Sequence, residues 1–108
     1  MALYMTQFGY TAEAWAALAK KPEDRGQAFA ALVEKMGGKF REIYYCFGEY
    51  DGLVLYEAPD NATASAIIVA ATAPGHLKAT KTTPLFTMSD TMALLRKAGG
   101  MTYRAPMG

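Results

Sequence analysis

Few side chains in this sequence are equipped for chemistry, and most gather at one bend. Phe47-Gly48-Glu49-Tyr50-Asp51 sets two carboxylates two residues apart, and either Asp51 or Glu49 could serve as a general base beside a pocket. Asp next to Gly is also ordinary turn chemistry, the carboxylate bonding its own backbone, and for Asp51 that is the preferred role. His76, the only imidazole, could give or take a proton near neutral pH; a partly exposed, idle ring is the plainer alternative. Arg25 could grip an anionic ligand or pair with Asp51, the ion pair being the simpler use. Tyr44, Tyr45 and Tyr56 flank the bend, and as a group they are the main sign of a pocket, one whose phenols would orient a flat or aromatic ligand. Singly, each also fits as a strand former filling a core or a subunit seam. Cys46 has no cation nearby in sequence to make it a nucleophile, so a packed thiol in mid-strand is expected.

Several function classes drop out on composition. One cysteine and one histidine cannot assemble a zinc or iron site or an internal disulfide. Eleven basic residues against ten acidic ones, with no basic stripe, argue against nucleic acid. No apolar run is long enough for a membrane span, and the first residues lack the features of a secretory signal, so a cytoplasmic protein is expected. There is no glycine-rich phosphate loop, no Gly-x-Ser-x-Gly elbow and no His-Glu-x-x-His. No cofactor is expected. A cofactor-free enzyme that buries its substrate beside one or two polar groups stays open.

The elements that must position these residues follow from 108 residues, 52% of them hydrophobic, which suits one domain. Residues 3–10 (LYMTQFGY) read as a first strand. Thr11 can cap a helix with Glu13 in its first turn and Trp15 and Leu18 on one side. Pro22 breaks it, and a second helix starts through Glu23 and Asp24, with Phe29, Leu32, Val33 and Met36 on one face and Gly37-Gly38 as its stop. Lys39 to Phe47 and Gly52 to Ala58 read as the two strands of a hairpin. Asp60 caps a third helix that buries Ala64, Ile67, Ile68 and Ala71 and ends at Pro74-Gly75. His76 to Thr83 alternates weakly and reads as an edge strand stopped by Pro84. Ser89 or Asp90 starts a last helix with Met92, Leu95 and Ala98 on one face. Residues 1–99 thus form the domain, and residues 100–108 a tail that is either loose or laid on a neighbour.

That order, βαββαβ plus an extra C-terminal helix, is the ferredoxin-like α+β pattern, a four-stranded antiparallel sheet with its helices on one face. In a monomer the other face would be polar. Here both parities are apolar: Ile43, Tyr45 and Phe47 against Phe40, Tyr44 and Cys46, then Leu53 and Leu55 against Val54 and Tyr56. A second subunit covering the open sheet, as a face-to-face dimer or closed barrel, is therefore expected.

Gly48-Glu49-Tyr50-Asp51, with Gly37-Gly38 before it and Glu57-Ala58-Pro59-Asp60 after it, resembles the signature of the GYD family of small bacterial and archaeal proteins. Lys21-Pro22-Glu23-Asp24-Arg25 and Thr82-Thr83-Pro84-Leu85 are similar to it as well. The resemblance runs from Leu3 to about Ala98 and leaves the tail outside. It implies the fold of the dimeric α/β-barrel proteins and no particular activity, because cofactor-free monooxygenases, small isomerases, haem-handling enzymes and ligand-sensing domains share that architecture. Three functions follow as expectations. The first is a cytoplasmic homodimer binding a small apolar or aromatic metabolite between sheet and helices. The second is a cofactor-independent monooxygenase or isomerase with His76 or Asp51 as base. The third is an assembly or regulatory partner of another protein.

Overall fold

A computed structural model describes residues 1–107 and shows the four-stranded antiparallel sheet in the order β2-β3-β1-β4. The strands are β1 (Ala2–Tyr10), β2 (Lys39–Tyr45), β3 (Gly52–Ala58) and β4 (Leu77–Leu85). The helices are α1 (Ala12–Lys20), α2 (Arg25–Lys35), α3 (Asn61–Thr72) and α4 (Met88–Gly99). Side-chain caps start each helix: Thr11, Asp24, Asp60 and Thr87 accept from Ala14, Gln27, Thr63 and Asp90. The last of these moves the start of α4 ahead of Ser89 and Asp90, since a threonine hydroxyl three residues before Asp90 reaches its N–H.

The core lies between the sheet and α2 and α3. Tyr4, Phe8 and Tyr10 of β1 and Val54, Tyr56 and Ala58 of β3 are buried there with Val33, Ala64 and Ile67. Gly26 lets α2 approach β2 closely, because a Cβ there would stand 2.9 Å from Ile43 Cγ2. Buried hydroxyls in this layer are paired. Thr6 Oγ1 lies 2.8 Å from Tyr56 OH and 2.8 Å from Thr82 Oγ1, and Tyr4 OH donates to Asn61 Oδ1 at 2.6 Å.

Three strand expectations need correction. β2 stops at Tyr45, opposite Gly52, so Phe47 and Cys46 are exposed loop residues rather than strand. The β2–β3 register slips between Phe40 and Glu42; this bulge places Phe40 opposite Tyr56 and Ile43 opposite Val54, so both point to the helix layer although simple alternation separates them. Pro84 does not stop β4 but pairs with Tyr4 inside it, which a proline can do where the missing N–H would face away from the sheet, on an edge strand.

The face without helices carries Leu3, Met5, Leu53, Leu55 and Leu85 as neighbours in register, all half-buried. Glu42, Glu57 and Lys81 rim the patch. α4 buries none of its residues, and Met92, Leu94 and Leu95 are exposed along it. It stands clear of the body: the radius of gyration is 17.6 Å, against about 13 Å for a compact chain of this length.

Candidate functional site

The side chains with chemical potential converge where β1 ends. Along β1 the alternation of Thr6, Phe8 and Tyr10 turns all three toward the helices. Beyond Tyr10, Thr11 donates its N–H to the His76 carbonyl at 2.9 Å, which ties the start of α1 to the start of β4 and brings the imidazole to 6.2 Å from the Tyr10 ring. Asp24, by capping α2, sets Arg25 in the first helical position, where its Nη1 pairs with Glu23 at 2.7 Å.

Between these groups and the helices lies a cavity of about 200 Å³. Phe8, Phe29, Leu32, Ile43, Val54 and Ile68 give it an apolar wall. Tyr10, Arg25 and His76 line one end and also border an adjoining hollow of about 410 Å³ against α1. The cavity can hold a small ring, since about 150 Å³ accommodates benzene. Burial, followed by the hydrogen bond to Tyr45, pushes the Tyr10 phenol well above the ordinary tyrosine range, so it stays protonated. Burial first, and then the Arg25 charge, lower His76, so a neutral imidazole faces the cavity at pH 7.

The hairpin residues occupy different places. Asp51 accepts at Oδ2 from the Tyr10 N–H at 2.8 Å and from Trp15 Nε1 at 3.1 Å. Its own N–H donates to the Phe8 carbonyl at 2.8 Å, and its carbonyl accepts from Cys46 at 2.9 Å. The carboxylate thus staples the bend to β1 and α1, and Arg25 pairs with Glu23 and not with it. Gly52, next in the chain, has no room for a side chain, because a Cβ would lie 2.5 Å from Phe8 Cζ and 2.7 Å from the Tyr44 carbonyl. Glu49 is exposed in the loop.

Of the phenols named from the sequence, Tyr44 is on the open face and 55% exposed. Tyr56 is fully buried, its hydroxyl taken by Thr6. Tyr45 reaches the site indirectly, its hydroxyl 3.0 Å from that of Tyr10, and with Phe47 and Trp15 it lines a separate surface hollow. Arg25 and His76 therefore line the cavity, while Tyr44, Tyr45, Tyr56 and Asp51 do not. Phe8 and Tyr10 also line the cavity; their signal is the apolar alternation of the first strand. Among the described residues no three His, Cys, Asp or Glu side chains cluster to hold a metal ion, and no helix is long and apolar enough to cross a membrane.

The family model for the GYD domain matches residues 4–95. Among solved structures, MtbAldR superposes with a TM-score of 0.58 at 14% identity, over 80% of this chain and 53% of that one. TTHA0845 from Thermus thermophilus gives a TM-score of 0.52 at 16% identity over 81% and 95% of the two chains. Hypothetical protein PHS023 from Pyrococcus horikoshii gives 0.51 at 16% over 81% and 92%. At these identities the likeness shows a shared fold, and this chain spans about half of MtbAldR. No curated protein sequence matches.

Proposed function

The chain belongs to the GYD domain family, and on that footing we propose that it is a cytoplasmic homodimer whose subunits each bind a small apolar or aromatic metabolite between sheet and helices, without a cofactor. The observation that carries this reading is the cavity between Phe8, Phe29 and Ile68, apolar along its walls and polar at one end. Such a combination, mostly hydrophobic with a few converging polar groups, is the usual make-up of a small-molecule site. The position of the site shifts from the hairpin phenols to Tyr10, Arg25 and His76. The dimer is supported by the leucine-rich open face, whose apolar patch would otherwise meet water.

Native mass spectrometry followed by denaturing mass spectrometry of the same purified sample tests both parts. A dimer carrying extra mass that is lost on denaturation supports the reading and identifies the ligand. A bare monomer removes the subunit pairing, and failure of any small aromatic probe to perturb the cavity residues removes the ligand. A second reading, a cofactor-independent monooxygenase or isomerase, draws on the neutral imidazole of His76 at the cavity wall. Retention of a found activity in His76→Gln would exclude that base.

A further inference from the structure

Resting on the cavity reading, we infer that the ligand is an amphipathic monoanion, its apolar body packed between Phe8, Phe29 and Ile68 and its carboxylate or equivalent acid group held at the Arg25 end. The cavity wall is electrically one-sided. Arg25, His76 and Tyr10 are the ionisable groups lining it, and no carboxylate is among them. A bound cation would meet the Arg25 guanidinium, whose exposed partner Glu23 lies outside the cavity lining, and a wholly apolar ligand would leave the donors at that end facing apolar matter. An acid group can take N–H and O–H donors from Arg25, from Tyr10 and from the one protonated nitrogen of His76. A guanidinium has five N–H donors; Glu23 takes one of them through Nη1, and that pair is itself exposed and weak, with side chains 32% and 54% accessible. Tyr10 and His76 stand beside the remainder. Both are tied in place, Tyr10 through its N–H to Asp51 and its hydroxyl to Tyr45, His76 through its carbonyl to Thr11. The Tyr10 hydroxyl and the His76 backbone are thereby held in place, which lowers the ordering cost of binding.

Benzoate, benzyl alcohol and benzylamine share one ring and differ in charge, so they separate the sign of the ligand from its shape. Binding is read by NMR on the full chain, with His76 as the reporter, since it is the only histidine. Benzoate is expected to bind on the order of tenfold more tightly than benzyl alcohol, the usual worth of a charge-assisted hydrogen bond, and to raise the His76 pKa as it binds. Benzylamine is expected to bind least. Arg25→Met should erase the benzoate advantage, weakening benzoate far more than benzyl alcohol; Glu23→Gln, which loosens the pair that occupies one donor, should strengthen benzoate. Equal binding of benzoate and benzyl alcohol, with no effect of Arg25→Met, overturns the anion assignment and leaves the cavity reading standing. If none of the three probes perturbs His76 or the cavity residues, the cavity reading falls and the assignment with it.

Discussion

Removing the Asp51 carboxylate should unfasten the bend from the rest of the molecule. In Asp51→Ala the Tyr10 N–H, on a residue only 4% exposed, loses its 2.8 Å acceptor, and Trp15 loses its 3.1 Å acceptor. A hydrogen bond from a buried donor to a charged group is worth about 1.5–3 kcal/mol, and the exposed indole bond adds under about 1 kcal/mol. The expected loss is therefore about 2–4 kcal/mol. At roughly 4–8 °C per kcal/mol for a domain near this size, the melting temperature should drop by at least about 8 °C. Asp51→Asn keeps one acceptor oxygen and gives up the charge, so about 1 kcal/mol is expected. Urea unfolding followed by the fluorescence of Trp15, the only tryptophan, reads both numbers. Protein concentration must be held fixed, because self-association would add to apparent stability. A change within about 0.5 kcal/mol for Asp51→Ala, the range of ordinary surface substitutions, would refute the staple.

Gly52→Ala should cost about 3 kcal/mol or prevent folding: the Phe8 ring could turn away from the new methyl, but the Tyr44 carbonyl, 2.7 Å from it, belongs to the ladder and cannot. Circular dichroism with thermal melting checks this. Leu55→Asp, in the middle of the open face opposite Met5, should convert the proposed dimer to a folded monomer by light scattering, and a wild-type monomer at micromolar concentration would sink the pairing itself. His76, held below its ordinary 6.5 by burial and then by Arg25, takes up its proton more readily in the unfolded chain. Stability should therefore be level above about pH 6.5 and decline as pH falls from there through the folded pKa. NMR titration of the ligand-free protein giving His76 a pKa at or above 6.5 contradicts that slope.

Much of the framework was readable because local signals agreed with the fold. β3 runs from Gly52 to Ala58 as its alternation indicates, and the caps at Thr11 and Asp60 lie where a hydroxyl or carboxylate precedes a helical pattern. What could not be read depends on neighbours distant in sequence. Nothing in Lys39-Phe40-Arg41-Glu42-Ile43 announces a bulge, which is a property of the pair β2 and β3. Pro84 is harmless only because β4 lies at the edge, and edge position is a fact of topology. The cavity lining is hidden from local pattern for a related reason. Tyr44, Tyr45 and Tyr56 draw attention by lying near one another in the chain, whereas the cavity is assembled from the end of β1, the first turn of α2 and the residue before β4. The Thr11–His76 backbone bond that joins two of these spans 65 positions, from 11 to 76, and leaves no trace in local pattern.

The hydroxyls of Tyr56, Thr6 and Thr82 are linked in a row. Each carries one proton, and with two links among three groups one proton must go elsewhere. Tyr56 is sealed in the core at 0% exposure, while Thr82 is exposed. Donation outward, from Tyr56 to Thr6, from Thr6 to Thr82, and from Thr82 to water, keeps every proton paired; the reverse order would leave a phenolic proton in the core without an acceptor. The chain of hydroxyls crosses three strands in succession, β3, β1 and β4. A slip of β1 by one residue would swing Thr6 to the opposite face and orphan the buried Tyr56 hydroxyl. A single polar side chain in an apolar layer thereby proofreads the alignment of the strands on either side of it.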